Sequence, residues 1–216
     1  CDQFSPTIGR VHHSMIDFLA TFIAFFAVID PIGTVPVFVA VTQHCDEAKK
    51  RRLAFIATGV SAAVLVFFVL AGEIILRAMS IPLPAFRIAG GLVLFLFAIT
   101  MILGESKPET ELTLAENAHD TAIYPLAVPS IAGPGAMLAA VLFTENSRFN
   151  LWEQAQTVLM MLAVLVVALV LMLVAGRVQR VIGASGASVV SRVMGLIIAP
   201  SATHNALKGI KEYFEI

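Results

Sequence analysis

Long apolar runs separated by short polar clusters dominate this chain, and their lengths predict its elements. Leu53 to Gly72 and Gln154 to Gly176 carry no charged residue, and about 20 mostly apolar residues suffice for a helix to cross a bilayer. Thr121 to Thr144 is also uncharged, but Gly133-Pro134-Gly135 divides it. Pro84 to Leu103 and Val189 to Leu207 hold Arg87 and Arg192 near their starts, where long cationic side chains are expected to snorkel to the interface. The first segment, Met15 to Gln43, contains Asp30, Pro31 and Pro36. Its two halves are each too short to cross alone and cross together.

Three such segments precede the polar stretch Glu105 to Asp120 and three follow it. An odd number of spans per half turns the halves over relative to each other. The predicted fold is therefore an all-α membrane protein, with six transmembrane helices as two inverted three-helix repeats whose first and fourth helices are broken. The expected division is an N-terminal flank over 1–14, a first repeat over 15–104, a solvated linker over 105–120 and a second repeat over 121–216.

Lys and Arg in the connections set orientation. Lys49, Lys50, Arg51, Arg52, Lys107, Arg177, Arg180 and Arg192 fall on one face; Arg10, Arg77, Arg87, Arg148, Lys208 and Lys211 fall on the other. The packed group in the first loop places that face in the cytoplasm and both termini outside it.

The two breaks carry the candidate chemistry. At Asp30-Pro31-Ile32-Gly33-Thr34, the prolines remove amide donors and Gly33 permits a turn. One helix should end near Ile29 and a second half-helix should start near Val35 or Pro36. At Ile131-Ala132-Gly133-Pro134-Gly135-Ala136, Pro134 suits the first turn of a half-helix starting near Pro134 or Gly135. Paired interruptions in matching hydrophobic segments point to a transporter's substrate site. Half-helix N-termini favour an anion, while free carbonyls and Asp30 favour a cation. The expected ligand is a small zwitterion, with Asp30 also a candidate for coupling an ion or proton. A carboxylate at mid-membrane costs about 2.5–3.5 kcal/mol on insertion scales. Capping the second half-helix through the Gly33 or Thr34 amides is the compatible structural role for Asp30.

Composition narrows the classes further. The 216 residues are 58% hydrophobic and 13% charged, with mean hydropathy +0.89 and net charge -1. The low charge and the absence of a basic block leave nucleic-acid binding without an electrostatic basis. Cys1 and Cys45, and His12, His13, His44 and His119, show no metal or redox spacing, so no metal or cofactor is expected. Cys1 reads as the start of a truncated chain, with a processed lipoprotein end as the alternative. Glu73 and Arg77 have the spacing of an ion pair along one helix. Gly59 with Ala63, and Ala89-Gly90-Gly91, offer small faces for helix packing. His204 and Asn205 suit interhelical or interfacial hydrogen bonds. Ser130 has no His or Lys at a nucleophile's motif spacing, and no P-loop occurs, so neither an enzyme nor direct use of ATP is expected.

Asp30-Pro31-Ile32-Gly33 followed by Val35-Pro36-Val37-Phe38, then Ile131-Ala132-Gly133-Pro134-Gly135-Ala136, then Arg192-Val193-Met194-Gly195-Leu196-Ile197, together resemble the MarC family of integral membrane proteins. The resemblance runs from about Met15 across nearly the whole chain. It implies six spans, a prokaryotic plasma membrane, kinship with lysine-exporter-like transporters, and secondary transport of small neutral amino acids such as alanine or glycine. Its implied site is Asp30 to Gly33 and Gly133 to Ala136. Partners would be the bilayer, a zwitterionic substrate, a coupling cation or proton, and other copies of the chain. The alternative is a non-transporting membrane protein with an envelope or partner-binding role.

Overall fold

A computed structural model describes residues 7–43, 45–103, 122–144 and 150–214. The 105–120 linker, Cys1, His44 and His119 lie outside the described residues, as do the side chains of Arg10, His12, His13, Lys107 and Arg148. The described residues form helices and no strand: α1 (Thr7–Ile29), α2 (Pro31–Val41), α3 (Glu47–Ala78), α4 (Leu83–Leu103), α5 (Ala122–Ile131), α6 (Pro134–Leu142), α7 (Leu151–Leu173) and α8 (Ala175–Tyr213).

The starts are specified locally. Asp46 caps α3 through the Lys49 amide at 2.8 Å, and Asn150 and Glu153 cap α7 reciprocally, each bond 2.9 Å. The 5→1 spacing of the Ala132 amide on the Ala127 carbonyl, 2.8 Å, marks α5 as π-wound. Gly183 interrupts α8 at φ 67°, a conformation that glycine adopts at little cost.

Five helical segments are long and apolar enough to span a membrane among the described residues: Phe18–Val41, Glu47–Ala78, Leu83–Leu103, Leu151–Leu173 and Ser185–Tyr213. The segment expected over Thr121 to Thr144 is two short helices, α5 with 10 residues and α6 with 9. Neither reaches the length of a span. Within its best apolar window the first segment is 67% buried, against 22–33% for the other four. Phe18–Val41 is thus the centre of the bundle. An irregular backbone in a membrane needs this placement, because lipid cannot satisfy its polar groups. Around it, Phe67, Leu70, Leu96, Leu159, Val166 and Leu196 face outward, as a lipid-facing belt requires.

The packing pairs α3 with α5 and α6, and α7 with α1 and α2, while α4 lies along α8. Glycines set that last contact. A Cβ on Gly91 would come within 2.9 Å of the Ala202 and Ala206 backbone or side-chain atoms; one on Gly195 would lie 3.0 Å from Ala98 and Ile102 atoms. Each glycine therefore meets the residues seven and eleven places beyond the other (202 − 195 and 98 − 91; 206 − 195 and 102 − 91). The α4–α8 contact has a local two-fold relation.

Two expectations are corrected by packing. Gly59 has nothing within 4 Å of its Cβ position, so the Gly59 and Ala63 face is turned outward and is no helix contact. Arg87 does not snorkel: it is 3% exposed and ion-paired with Glu212 at the end of α8. Arg192, by contrast, is exposed.

Candidate functional site

The site is built from the two helix junctions. At the first, α1 closes with the Asp30 amide on the Phe26 carbonyl at 2.9 Å, and Asp30 then turns left-handed at φ 50°, ψ 66°. That region is uncommon for residues with a side chain, and Asp is among the few enriched there. The turn lets the side chain reach forward, so that Oδ1 accepts the Gly33 amide at 3.0 Å. Pro31 occupies the first helical position, where a missing amide costs no helical bond. Consequently α2 begins at Pro31, four or five residues before the Val35 or Pro36 expected from the sequence. Pro36 instead sits inside α2 and withdraws the amide that would have met the Ile32 carbonyl.

Glycine at position 33 is dictated by this arrangement. A Cβ there would lie 2.1 Å from Asp30 Oδ2 and 2.5 Å from Ser191 Oγ. Ser191, on α8, donates to Asp30 Oδ2 at 2.5 Å. Asp30 and Ser191 are both fully buried, and none of the ion pairs among the described residues involves Asp30. Two neutral donors thus hold a buried acid.

At the second junction α6 begins at Pro134, as expected, with Gly133 as its cap residue at φ −77°, ψ 168°. Here glycine is required by approach rather than by dihedral angle: a Cβ on Gly133 would lie 2.8 Å from the Pro129 carbonyl oxygen. No side chain caps this helix. The amides of Gly135 and Ala136 therefore occupy the positions that a capping side chain normally serves. Gly135 also brings α6 close to Val28 and Leu94, 2.9 and 3.2 Å from its Cβ position.

The junctions meet through hydroxyls. Thr34 Oγ1 donates to the Asp30 carbonyl at 3.1 Å and accepts from Ser130 Oγ at 3.3 Å. Ser61, on α3, donates to the Ala57 carbonyl at 2.8 Å and to the Ala127 carbonyl of α5 at 3.2 Å. Of the expected site residues, Asp30, Gly33 and Thr34 form one cluster; Pro31 is buried and Ile32 half-buried beside them. Ile131, Ala132, Gly135 and Ala136 are buried at the second junction, Gly133 is half-buried and Pro134 is exposed. Ser130 and Ser191 complete the polar cluster while Ser61 joins α3 to α5, and the sequence alone does not place them there. A hydroxyl in an apolar span can be satisfied by its own preceding turn, as Thr42 and Thr144 are, so the sequence does not mark which ones cross between helices.

Recesses lie along the segments that precede and follow Asp30 in the chain, and residues 30–34 and 131–136 line none of the three. Cavities of about 320 and 370 Å3 share Ala20, Ala24, Phe143 and Ser201 and so adjoin. The smaller of these reaches Val28 and Leu94, the side chains against Gly135. Asn205 lines it, whereas His204 is exposed. Beyond Asp30, a recess of about 150 Å3 is lined by Phe38, Thr42 and Met172 among others. Glu73 and Arg77 pair along α3 at 2.5 Å, away from both junctions in sequence. Among the described residues, no three His, Cys, Asp or Glu side chains are grouped to hold a metal ion.

Residues 15–214 match the family model described as MarC family integral membrane protein. The chain belongs to the MarC family. MarC membership makes it an integral membrane protein, in agreement with its apolar helices. Similar MarC relatives include a UPF0056 membrane protein of Buchnera aphidicola, 29% identical over 94% of this chain and 98% of its own length. A UPF0056 membrane protein of Archaeoglobus fulgidus is 30% identical over 90% and 92%, and one of Pyrococcus abyssi is 30% identical over 94% and 100%. No solved structure matches the chain.

Proposed function

We propose that this MarC protein is a secondary transporter that exports or exchanges small neutral amino acids such as alanine or glycine across the prokaryotic plasma membrane. The observation that carries the reading is the unequal capping of two half-helices whose junctions touch through Thr34 and Ser130. The first is capped by its own carboxylate, while the second has no side-chain cap. A substrate carboxylate suits the open amides of Gly135 and Ala136, with their positive helix end. The ammonium, or a coupling cation or proton, suits Asp30 and the nearby carbonyls. Pro31, Ile32, Gly33, Thr34, Ile131, Ala132, Gly133 and Pro134 shape the remainder. Gly135 is packed closely against Val28 and Leu94 and Ala136 is fully buried, which disfavours a bulky substrate side chain beside them.

The same reading takes α1–α2 and α5–α6 as the two broken spans of inverted three-helix repeats. It draws support from the contacts: exchanging α1, α2, α3 and α4 for α5, α6, α7 and α8 converts α3–α5 into α7–α1, α3–α6 into α7–α2, α1–α6 into α5–α2 and α2–α8 into α6–α4, all of which occur. The two-fold relation of Gly91 and Gly195 adds to it. The cationic end at Lys49 to Arg52 then faces the cytoplasm and both termini lie outside. Rocking of the halves about a fixed central site would open the two recesses alternately. We assign the protein no catalytic reaction.

The test is uptake of labelled alanine and glycine by proteoliposomes holding the full chain, against empty vesicles. The expected result is substrate-dependent flux, competed by the unlabelled amino acid. Absence of flux across a broad amino-acid panel, with the protein correctly inserted, would overturn the substrate class.

A further inference from the structure

The recess beyond Asp30 lies where three spanning helices end: α2 at Val41, α3 beginning at Glu47, and α7 at Leu173. We infer that this recess is a binding site for an anionic glycerophospholipid. Its mouth carries Lys50 and Arg51 with Glu47; its walls are Phe38, Val39, Met172 and Leu173. Such a combination of basic rim and apolar wall at a helix end fits a phosphate headgroup with acyl chains attached, rather than a fully solvated anion.

Charge complementarity favours the same occupant. Around the recess, residues 42–52 and 174–180 hold Lys49, Lys50, Arg51, Arg52, Arg177 and Arg180 against Asp46 and Glu47. Six cations and two carboxylates leave a formal excess of +4 on one helix end. Asp46 is engaged by the Lys49 amide, and Glu47 pairs with Lys50 at 2.9 Å, so Arg51 supplies the net positive charge of the rim itself. The volume of about 150 Å3 admits a headgroup phosphate but not a whole lipid. The acyl chains therefore lie outside, along Leu173 and Phe55, which are exposed. Gly176 forms part of the rim, with nothing within 4 Å of its Cβ position. An occupied recess would tie α2 to the end of α7, because Phe38 and Thr42 come from the former and Met172 from the latter.

The experiment compares thermal unfolding of the full-length protein in nanodiscs of neutral phosphatidylcholine with nanodiscs containing one third phosphatidylglycerol. A bound lipid raises the unfolding temperature by mass action. The expected result is a rise with phosphatidylglycerol that falls at least by half in K50Q/R51Q and in Gly176→Leu, the latter blocking the rim without changing charge. K208Q/K211Q, on the opposite end by chain order, should retain the full rise. Native mass spectrometry should show phosphatidylglycerol carried by the unaltered chain and lost from both recess variants. The inference is overturned by an undiminished rise in both recess variants, by equal loss in K208Q/K211Q, or by an equal rise when inorganic phosphate replaces the anionic lipid.

Discussion

Replacing Gly33 by Ala tests the geometry of the first junction with a single methyl group. The added Cβ would lie 2.1 Å from Asp30 Oδ2 and 2.5 Å from Ser191 Oγ, so the carboxylate must leave its place. It then loses the Gly33 amide and the Ser191 hydroxyl together. Losing an N-cap bond costs about 1–2 kcal/mol, and losing a hydrogen bond to a charged acceptor about 1.5–3 kcal/mol. Alanine's better helix propensity returns about 0.5–1 kcal/mol. The net expectation is a loss of roughly 2–4 kcal/mol, or on the order of 10 °C in unfolding temperature for a chain of this size. Gly59→Ala is the matched control. The same atom is added on α3 where nothing lies within 4 Å, so the unfolding temperature should hold or rise. Tryptophan fluorescence or a thiol-reactive dye during a temperature ramp in detergent reads both. Equal stability of the two variants would refute the assignment of Gly33 to the Asp30 and Ser191 contact.

Asp30→Asn retains an acceptor for the Gly33 amide and a partner for Ser191 while removing the charge. It should leave unfolding within about 1 kcal/mol of the original and reduce amino-acid flux at least tenfold; full flux would remove the acid from any role in cation or proton binding. Gly133→Ala brings a Cβ to 2.8 Å from the Pro129 carbonyl and should destabilise by about 1–3 kcal/mol, measured by the same ramp. Glu212→Gln takes away the ion-pair partner of Arg87, which is 3% exposed. Breaking a buried pair from one side costs about 3–5 kcal/mol, and the exposed, one-third accessible position of Glu212 places the effect at the lower end. A loss below the scatter of replicate melts would show that other contacts of Arg87 suffice.

The apolar runs made the helices legible because membrane length imposes a minimum that composition alone reveals. The second junction was legible too: Gly-Pro-Gly leaves few conformations, and α6 starts where Pro134 tolerates a missing amide. At the first junction the two prolines compete for that role. A start near Val35 or Pro36 is expected from the prolines and one at Pro31 from capping by Asp30; the left-handed turn of Asp30 selects Pro31, where its carboxylate reaches the Gly33 amide. Arg87 was misread because snorkelling depends on what surrounds a helix end, and Glu212 comes from 125 residues away. The hydroxyls of Ser130 and Ser191 were invisible for the same reason. Their partners are set by helix packing across 96 and 161 residues, and no local periodicity encodes that.

The glycine-lined α4–α8 contact has a mechanical consequence. Under the proposed rocking mechanism, two helices that stay packed through the motion serve as a fulcrum, and the α4–α8 contact suits that role. Gly91 and Gly195 bring the Ala202 and Ala98 carbonyls close to their own backbones, which leaves little side chain to refit there. A covalent tether between α4 and α8 near these glycines should therefore spare turnover, whereas one between α1 and α6 should arrest it. The stiffness of such a stroke would come from a contact in which glycine brings the two backbones together.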